Sequence, residues 1–259
     1  MSRRAIHPAW GLAEIAGGLA LFEAVLWGLG PWVGTGKGGG LAVGLYWLAA
    51  AVGGGFILWL SPFVLHHDPP SERGWGLGRG RDDPGVLANA WPHYLALTLA
   101  GAALLTAAAV IRDPQALAHI RWRALATKFT LYLIFAPIQA LAFFSFLQPR
   151  LRGLIAPLVG DARMARLCVA SATALLFGAA HAPNWPFAAM AAAGGLAWSW
   201  LYQARPNLVL VGISHAVLGT VVHSVLGLYT RIGPFYAHPE GHILRNVAPG
   251  LKALIGNLY

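Results

Sequence analysis

The sequence predicts an all-α integral membrane protein, built as a polytopic bundle of transmembrane helices. The chain is 57% hydrophobic and only 10% charged over its 259 residues, and its mean hydropathy is +0.59. A soluble domain carries about 25% charged residues. Several apolar stretches approach ~20 residues, the length at which a helix spans a bilayer. These observations exclude an ordinary soluble domain.

Seven apolar stretches predict seven spans within a single integral membrane domain, residues 1–259. The predicted spans are residues 10–33, 40–65, 91–111, 127–148, 166–182, 186–203 and 208–229. The tail, residues 230–259, is predicted to lie in the membrane interface as a short amphipathic segment. An eighth span in this tail is the alternative, although its apolar stretch is short.

The connections support this division. The basic start, "MSRRAIHPAW", lacks a small-residue cleavage site and therefore predicts an uncleaved first span rather than a signal peptide. The second and third spans are separated by "HHDPPSERGWGLGRGRDDPG", a polar loop rich in glycine and proline. Glycines inside the spans, such as Gly53, Gly54 and Gly194, predict close packing between helices.

The charge pattern indicates the partners and the orientation. Because the basic residues lie between apolar segments, the net charge of +9 favours anionic lipid headgroups over nucleic acid as the partner. Ten of the 18 Lys and Arg residues fall on the side of the N-terminus in this topology, which favours a cytoplasmic N-terminus. We expect a bacterial inner (cytoplasmic) membrane. Cys168 is the only cysteine, so no intrachain disulfide forms.

Polar side chains inside the spans are the candidate functional residues, because a polar group is costly in hydrocarbon. They are Glu14, Glu23, Gln139, His181, Asn184, His215 and His223. His215 and His223 are eight positions apart and occupy overlapping faces of one helix, which could line a cavity together with His181. Glu14 and Glu23 point to nearly opposite faces, so each is expected to meet a local partner or the interface, with the histidine cavity as the alternative.

Between Thr127 and Leu228 the sequence resembles the CPBP family of membrane proteins, the CAAX prenyl endopeptidases and bacteriocin-processing proteins also called Abi. Three motifs mark that family: Glu-Glu-x-x-x-Arg, Phe-x-x-x-His, and a last His-x-x-x-Asn or Asp. The second is present as "FGAAH", which ends at His181, and the histidine of the third is His215 in "HAVLG". The helix of the first motif has its counterpart in "APIQALAFFSFLQPRLRGL". The resemblance implies a CPBP-like core, residues 127–228, and an intramembrane protease ancestry.

The first and third motifs are degenerate. Gln139 and Ala140 stand where the family has paired glutamates, Phe144 replaces the arginine, and Gly219 replaces the last Asn or Asp. In the family a glutamate is thought to activate the water that attacks the peptide carbonyl. A neutral amide such as Gln139 can hold a water, but it cannot act as a general base.

These departures favour a CPBP-like protein that has lost proteolysis and acts as a binding or accessory subunit. Its partner would be another membrane protein, a hydrophobic peptide or a ligand, bound with help from Gln139, Asn184 and His223. The first alternative is an active metalloprotease with a rearranged site, in which His181 and His215 bind zinc. The second alternative is a subunit that binds haem or a pigment through these two histidines.

Overall fold

The computed structural model describes residues 7–67, 74 and 82–237, and it confirms the helical prediction. Seven long helices follow one another along the described chain. They are α1 (Pro8–Gly34), α2 (Gly39–Leu65), α3 (Leu87–Arg112), α4 (Trp122–Leu158), α5 (Ala162–Ala179), α6 (Trp185–Ala204) and α7 (Leu208–Ser224). Each predicted span corresponds to one of these helices. Most of the loop between α2 and α3, and the tail from residue 238 onward, lie outside the described residues.

Helices α1 to α5 are long and apolar enough to cross a membrane, and α7 is a shorter apolar helix. Large apolar side chains on their outer surfaces, among them Trp59, Leu104 and Ile111, are more than half exposed. Such surfaces require lipid rather than water around them. The chain is therefore an integral membrane protein.

Helix α4 is longer than the span predicted for it, residues 127–148. Its middle, Leu141–Leu147, is wound as a π-helix, and a further α-helical stretch, Gln148–Ile155, follows directly. Pro149 lies in the first turn of that stretch, where a missing backbone N–H is tolerated. The proline therefore does not end the helix.

Helix α7 is the buried centre of the half of the bundle that contains the predicted core. It packs against α3 and α4, while α5 and α6 form a closely packed pair beside it. Small residues allow these contacts: a Cβ on Gly178 would lie 2.8 Å from Cβ of Ala192, and one on Gly212 would lie 2.9 Å from Cγ of Pro137. Glycine is required at both positions because the neighbouring helix approaches so closely.

The N-termini of the last three helices are capped by side chains. Asp161, Asn184 and Asn207 accept hydrogen bonds from backbone N–H groups in the first turns of α5, α6 and α7, respectively. These bonds satisfy donors that have no partner inside a helix. The role of Asn184 is therefore at least partly structural.

A buried ion pair connects the first two helices to α4. Glu14 of α1 accepts a hydrogen bond from Nε of Arg150 at 2.6 Å, and its other oxygen lies 2.8 Å from Oγ of Ser61 and 2.9 Å from Nε2 of His66. Arg150 also donates to Ser61 and to the carbonyl oxygen of Phe146. All four polar side chains of the cluster are at most 5% exposed.

This cluster accounts for Glu14, one of the intramembrane carboxylates. The carboxylate has a local partner, which was one of the two expectations for Glu14, and Glu14 is not among the residues that line the cavity of His181 and His215 described below. Glu23 is exposed at the end of the α-helical part of α1. Because the pair is electrically neutral and well hydrogen-bonded, the cost of burying each charge is largely offset.

Removal of the Glu14 charge is expected to destabilise the protein. In Glu14→Gln the buried guanidinium of Arg150 loses its counter-ion, and breaking a buried pair in this way costs about 3–5 kcal/mol. We expect a clearly lower Tm for the purified protein in a fixed detergent. The double variant Glu14→Leu/Arg150→Met, which removes both charges, should recover much of the loss.

Glu23→Gln is the matched control, since it makes the same substitution on the same helix at an exposed position. It should melt as the wild type does. Equal melting of the Glu14 and Glu23 variants would show that the buried pair does not stabilise the fold.

Candidate functional site

The positions of the degenerate first motif lie in the apolar core. Ala140 and Phe144 are both completely buried. The ring of Phe144 lies 6.2 Å from that of Phe177 and 5.8 Å from that of Tyr202, measured between centroids. Where the family motif has a glutamate and an arginine, this chain therefore has a packed aromatic cluster.

Gln139 is half-buried and is not part of the cavity described below. It precedes Ala140, and consecutive helical residues point about 100° apart. The side chains of Gln139 and Ala140 therefore leave α4 in different directions.

His181 lies in the turn that ends α5, four residues after Phe177. Its Nδ1 is 2.7 Å from the carbonyl oxygen of Phe177, so Nδ1 carries the proton and donates. A neutral imidazole with a proton on Nδ1 keeps a lone pair on Nε2. The ring is also held by edge contacts with Phe177 and Phe187, at centroid distances of 5.0 and 4.8 Å.

His215 lies in the middle of α7 and is 7% exposed. Its ring is 4.9 Å from that of Trp198 and 5.5 Å from that of Phe177. The Nδ1 atom is buried and has no hydrogen-bond partner among the residues that the structure describes. Unsatisfied polar atoms of this kind are rare in folded proteins, so this nitrogen calls for an explanation.

Both histidines line one cavity of about 360 Å³ between α3, α6 and α7, closed at one end by the end of α5. Most of its other lining residues are aliphatic, and Phe177, Phe187 and Trp198 supply aromatic rings. Within the described lining, the two imidazoles are the only ionisable side chains. The fold therefore brings His181 and His215 to the same cavity.

A hydrogen-bonded chain fixes the indole of Trp198 against His215. The indole N–H donates to Oγ of Ser214 at 2.9 Å, and that hydroxyl lies 2.7 Å from Oγ1 of Thr98. Thr98 in turn donates to the carbonyl oxygen of Tyr94 at 2.7 Å. This network satisfies the polar atoms around Trp198, and sequence reasoning missed it because Thr98 lies 116 residues from Ser214 along the chain and only the fold brings the two together.

The fold does not bring Asn184 and His223 to this cavity. Besides capping α6, Asn184 donates to the carbonyl oxygens of Tyr229 and Arg231 and so holds the segment after α7. Nδ1 of His223 lies 3.3 Å from Oγ1 of Thr230 in the same region. These two side chains stabilise the connection that follows α7.

The donor set does not fit a zinc ion. Catalytic zinc sites use three protein ligands and structural sites use four. The cavity offers two imidazoles, and the described part of the chain contains no group of three or more His, Cys, Asp or Glu side chains suited to a metal.

Comparison with known proteins finds a family model that is similar to the segment containing the site. Residues 121–221 match the family model described as Rce1-like, type II CAAX prenyl endopeptidase. The search of curated proteins and the search of solved structures gave no match. The match includes the whole of α4, α5 and α6, and it extends along α7 as far as Val221. The resemblance drawn from the motifs is thereby confirmed: residues 121–221, about two-fifths of the chain, are similar to the Rce1-like family of type II CAAX prenyl endopeptidases.

Proposed function

We propose that this protein is a CPBP-like membrane protein that has lost proteolysis and binds a hydrophobic partner in the cavity of His181 and His215. The observation that carries the proposal is the burial of Ala140 and Phe144 in an aromatic cluster, at the positions of the family's glutamate and arginine. General base catalysis needs a proton acceptor within hydrogen-bond reach of the attacking water. Neither Gln139, Ala140 nor Phe144 can supply one.

Neither intramembrane carboxylate of α1 compensates for this loss. Glu14 is engaged by Arg150, Ser61 and His66, and Glu23 is exposed. Moving Glu14 to the histidines would leave Arg150 buried without its counter-ion, at a cost of several kcal/mol. This argues against the alternative of an active protease with a rearranged site.

The surroundings of the cavity support a binding role. It is apolar, it contains two fixed polar groups, and its volume lies within the range of about 300–1,000 Å³ that is common for ligand sites. As an accessory subunit in a bacterial inner membrane, with its N-terminus in the cytoplasm, the protein would present this cavity to lipid or to a neighbouring membrane protein. The alternative ligands are haem and a pigment, for which the two imidazoles would be the axial ligands.

The proposal predicts no peptidase activity. The purified protein in nanodiscs should cleave a prenylated CAAX peptide no faster than the His181→Ala/His215→Ala variant, with and without added zinc. An active type II CAAX prenyl endopeptidase is the positive control. The purified protein should also hold far less than one zinc per chain and show no visible absorbance band.

Turnover that disappears in the double variant, or one zinc per chain that is lost with it, would establish the protease alternative. A strong visible band lost in the same variant would establish the haem or pigment alternative. Both results are independent of the binding measurement described below.

The loss of the third motif predicts a steric effect at Gly219. A Cβ at this position would lie 2.9 Å from Cε1 of Tyr132, so the space beside His215 is already filled. We expect Gly219→Ala to destabilise the protein by about 1–3 kcal/mol through overpacking. Thermal melting in detergent measures the effect, and the added substitution Tyr132→Ala should relieve the steric part of it.

Gly54→Ala is the matched control, because a Cβ at Gly54 meets no atom within 4 Å. Its Tm should stay level or rise, since alanine favours a helix more than glycine does. If Gly219→Ala also left the Tm unchanged, the site would have room for the family's asparagine, and the steric part of the argument would be wrong.

A further inference from the structure

We propose that the cavity binds a neutral single-chain lipid with a hydroxyl head, which is held by hydrogen bonds between His181 and His215. This inference rests on the proposed function and specifies the class of its ligand. The lipid would enter from the bilayer between α3 and α6. Three features support it: the hydrogen-bonding state of the imidazoles, the charge of the lining and the position of the opening.

The hydrogen bonds of the two imidazoles call for a group that both donates and accepts. Because Nδ1–H of His181 is used by the carbonyl oxygen of Phe177, its Nε2 is left as an acceptor. His215 has an unpartnered, buried Nδ1 among the described residues. A neutral His215 brings one N–H and one lone pair. A hydroxyl group can donate to His181 and accept from His215, whereas an ether or an ester can only accept.

The charge of the lining favours a neutral head. In the described lining no Lys, Arg, Asp or Glu side chain faces the cavity. An ionised carboxylate or phosphate would enter it without a counter-ion, and burying an unpaired charge in an apolar site is strongly unfavourable. A neutral alcohol avoids this cost.

The opening of the cavity faces the bilayer. Leu104 of α3 lines the cavity and is 72% exposed, and Ala193 of α6 lines it and is also exposed. Helices α3 and α6 make little contact with each other. His181 and His215 are each only 7% exposed, so the polar end of the site is deep and the apolar end is at the lipid. This polarity places the head of the lipid inside and its chain toward the opening.

The hydroxyl requirement can be tested by photolabelling. The full chain is purified in nanodiscs and labelled with a long-chain alcohol that carries a diazirine and an alkyne, and the labelled peptides are identified by mass spectrometry. The comparison probe is the methyl ether of the same alcohol, which cannot donate. We expect labels on residues of the cavity lining, and about tenfold weaker competition by the ether, the effect of one lost hydrogen bond.

Variants of the cavity locate the site. His181→Ala should bring the affinity for the alcohol down to that for the ether, while leaving the affinity for the ether nearly unchanged. Ala197→Phe, which fills the half-buried inner part of the cavity, should abolish labelling by both probes. Ala51→Phe is the matched control, since Ala51 is exposed on α2 away from the cavity, and it should leave labelling unchanged.

Three outcomes would overturn the inference. They are equal binding of alcohol and ether, labelling that survives Ala197→Phe, and crosslinks that show the cavity filled by a second copy, by another protein's helix or by residues 238–259. None of them bears on proteolysis, because the peptidase and zinc measurements decide that separately. Peptide cleavage together with selective alcohol binding would overturn the proposed function and leave the ligand inference standing.

Discussion

The ring of Phe177 holds together the half of the bundle that contains the histidines. It contacts Phe143 and Phe144 of α4, at centroid distances of 5.0 and 6.2 Å, and Trp198 of α6 at 6.2 Å. It also contacts His215 of α7, and the Phe177 carbonyl fixes the tautomer of His181. Edge-on aromatic contacts such as these add to the area that they bury. Four helices therefore meet at this one side chain.

This arrangement explains how the segment that resembles the Rce1-like family packs without the charged residues of the family motifs. Phe144 occupies the place of an arginine and packs against Phe177 and Tyr202. The cost of burying a charge is thereby removed, and dispersion contacts and apolar burial take its place. At the third motif, Gly219 stands where the family has Asn or Asp, and the ring of Tyr132 fills the space that a larger side chain would need. The two histidines lie together in a cavity that is lined mainly by apolar side chains.

The buried charges that remain serve the connection between the two parts of the chain. Glu14 lies outside the segment that matches the family model and Arg150 lies inside it, so their ion pair joins the first helices to the family segment. The arginine also lies over the ring of Phe146, 3.8 Å from its centroid. Neither Glu14 nor Arg150 lines the histidine cavity, so the ion pair and the cavity occupy separate regions of the described fold.

The sequence by itself determined the membrane class, the seven helices, and the two histidines of the family motifs. Hydrophobic length and local spacing are properties of the chain, so hydropathy and the pattern "FGAAH" were sufficient for these predictions. Only the tertiary structure decided which polar residues meet. It placed Arg150 against Glu14, and it joined Thr98, Ser214 and Trp198 in one network.

Tertiary packing also decided which of the predicted site residues reach the cavity. Helical periodicity gave His215 and His223 overlapping faces, yet only His215 reaches the cavity, because His223 lies near the end of α7 beside the segment that follows it. Asn184 is used by the cap of α6 and by that same segment. Helical spacing determines the direction of a side chain around its own helix, whereas the packing of neighbouring helices determines what that side chain meets.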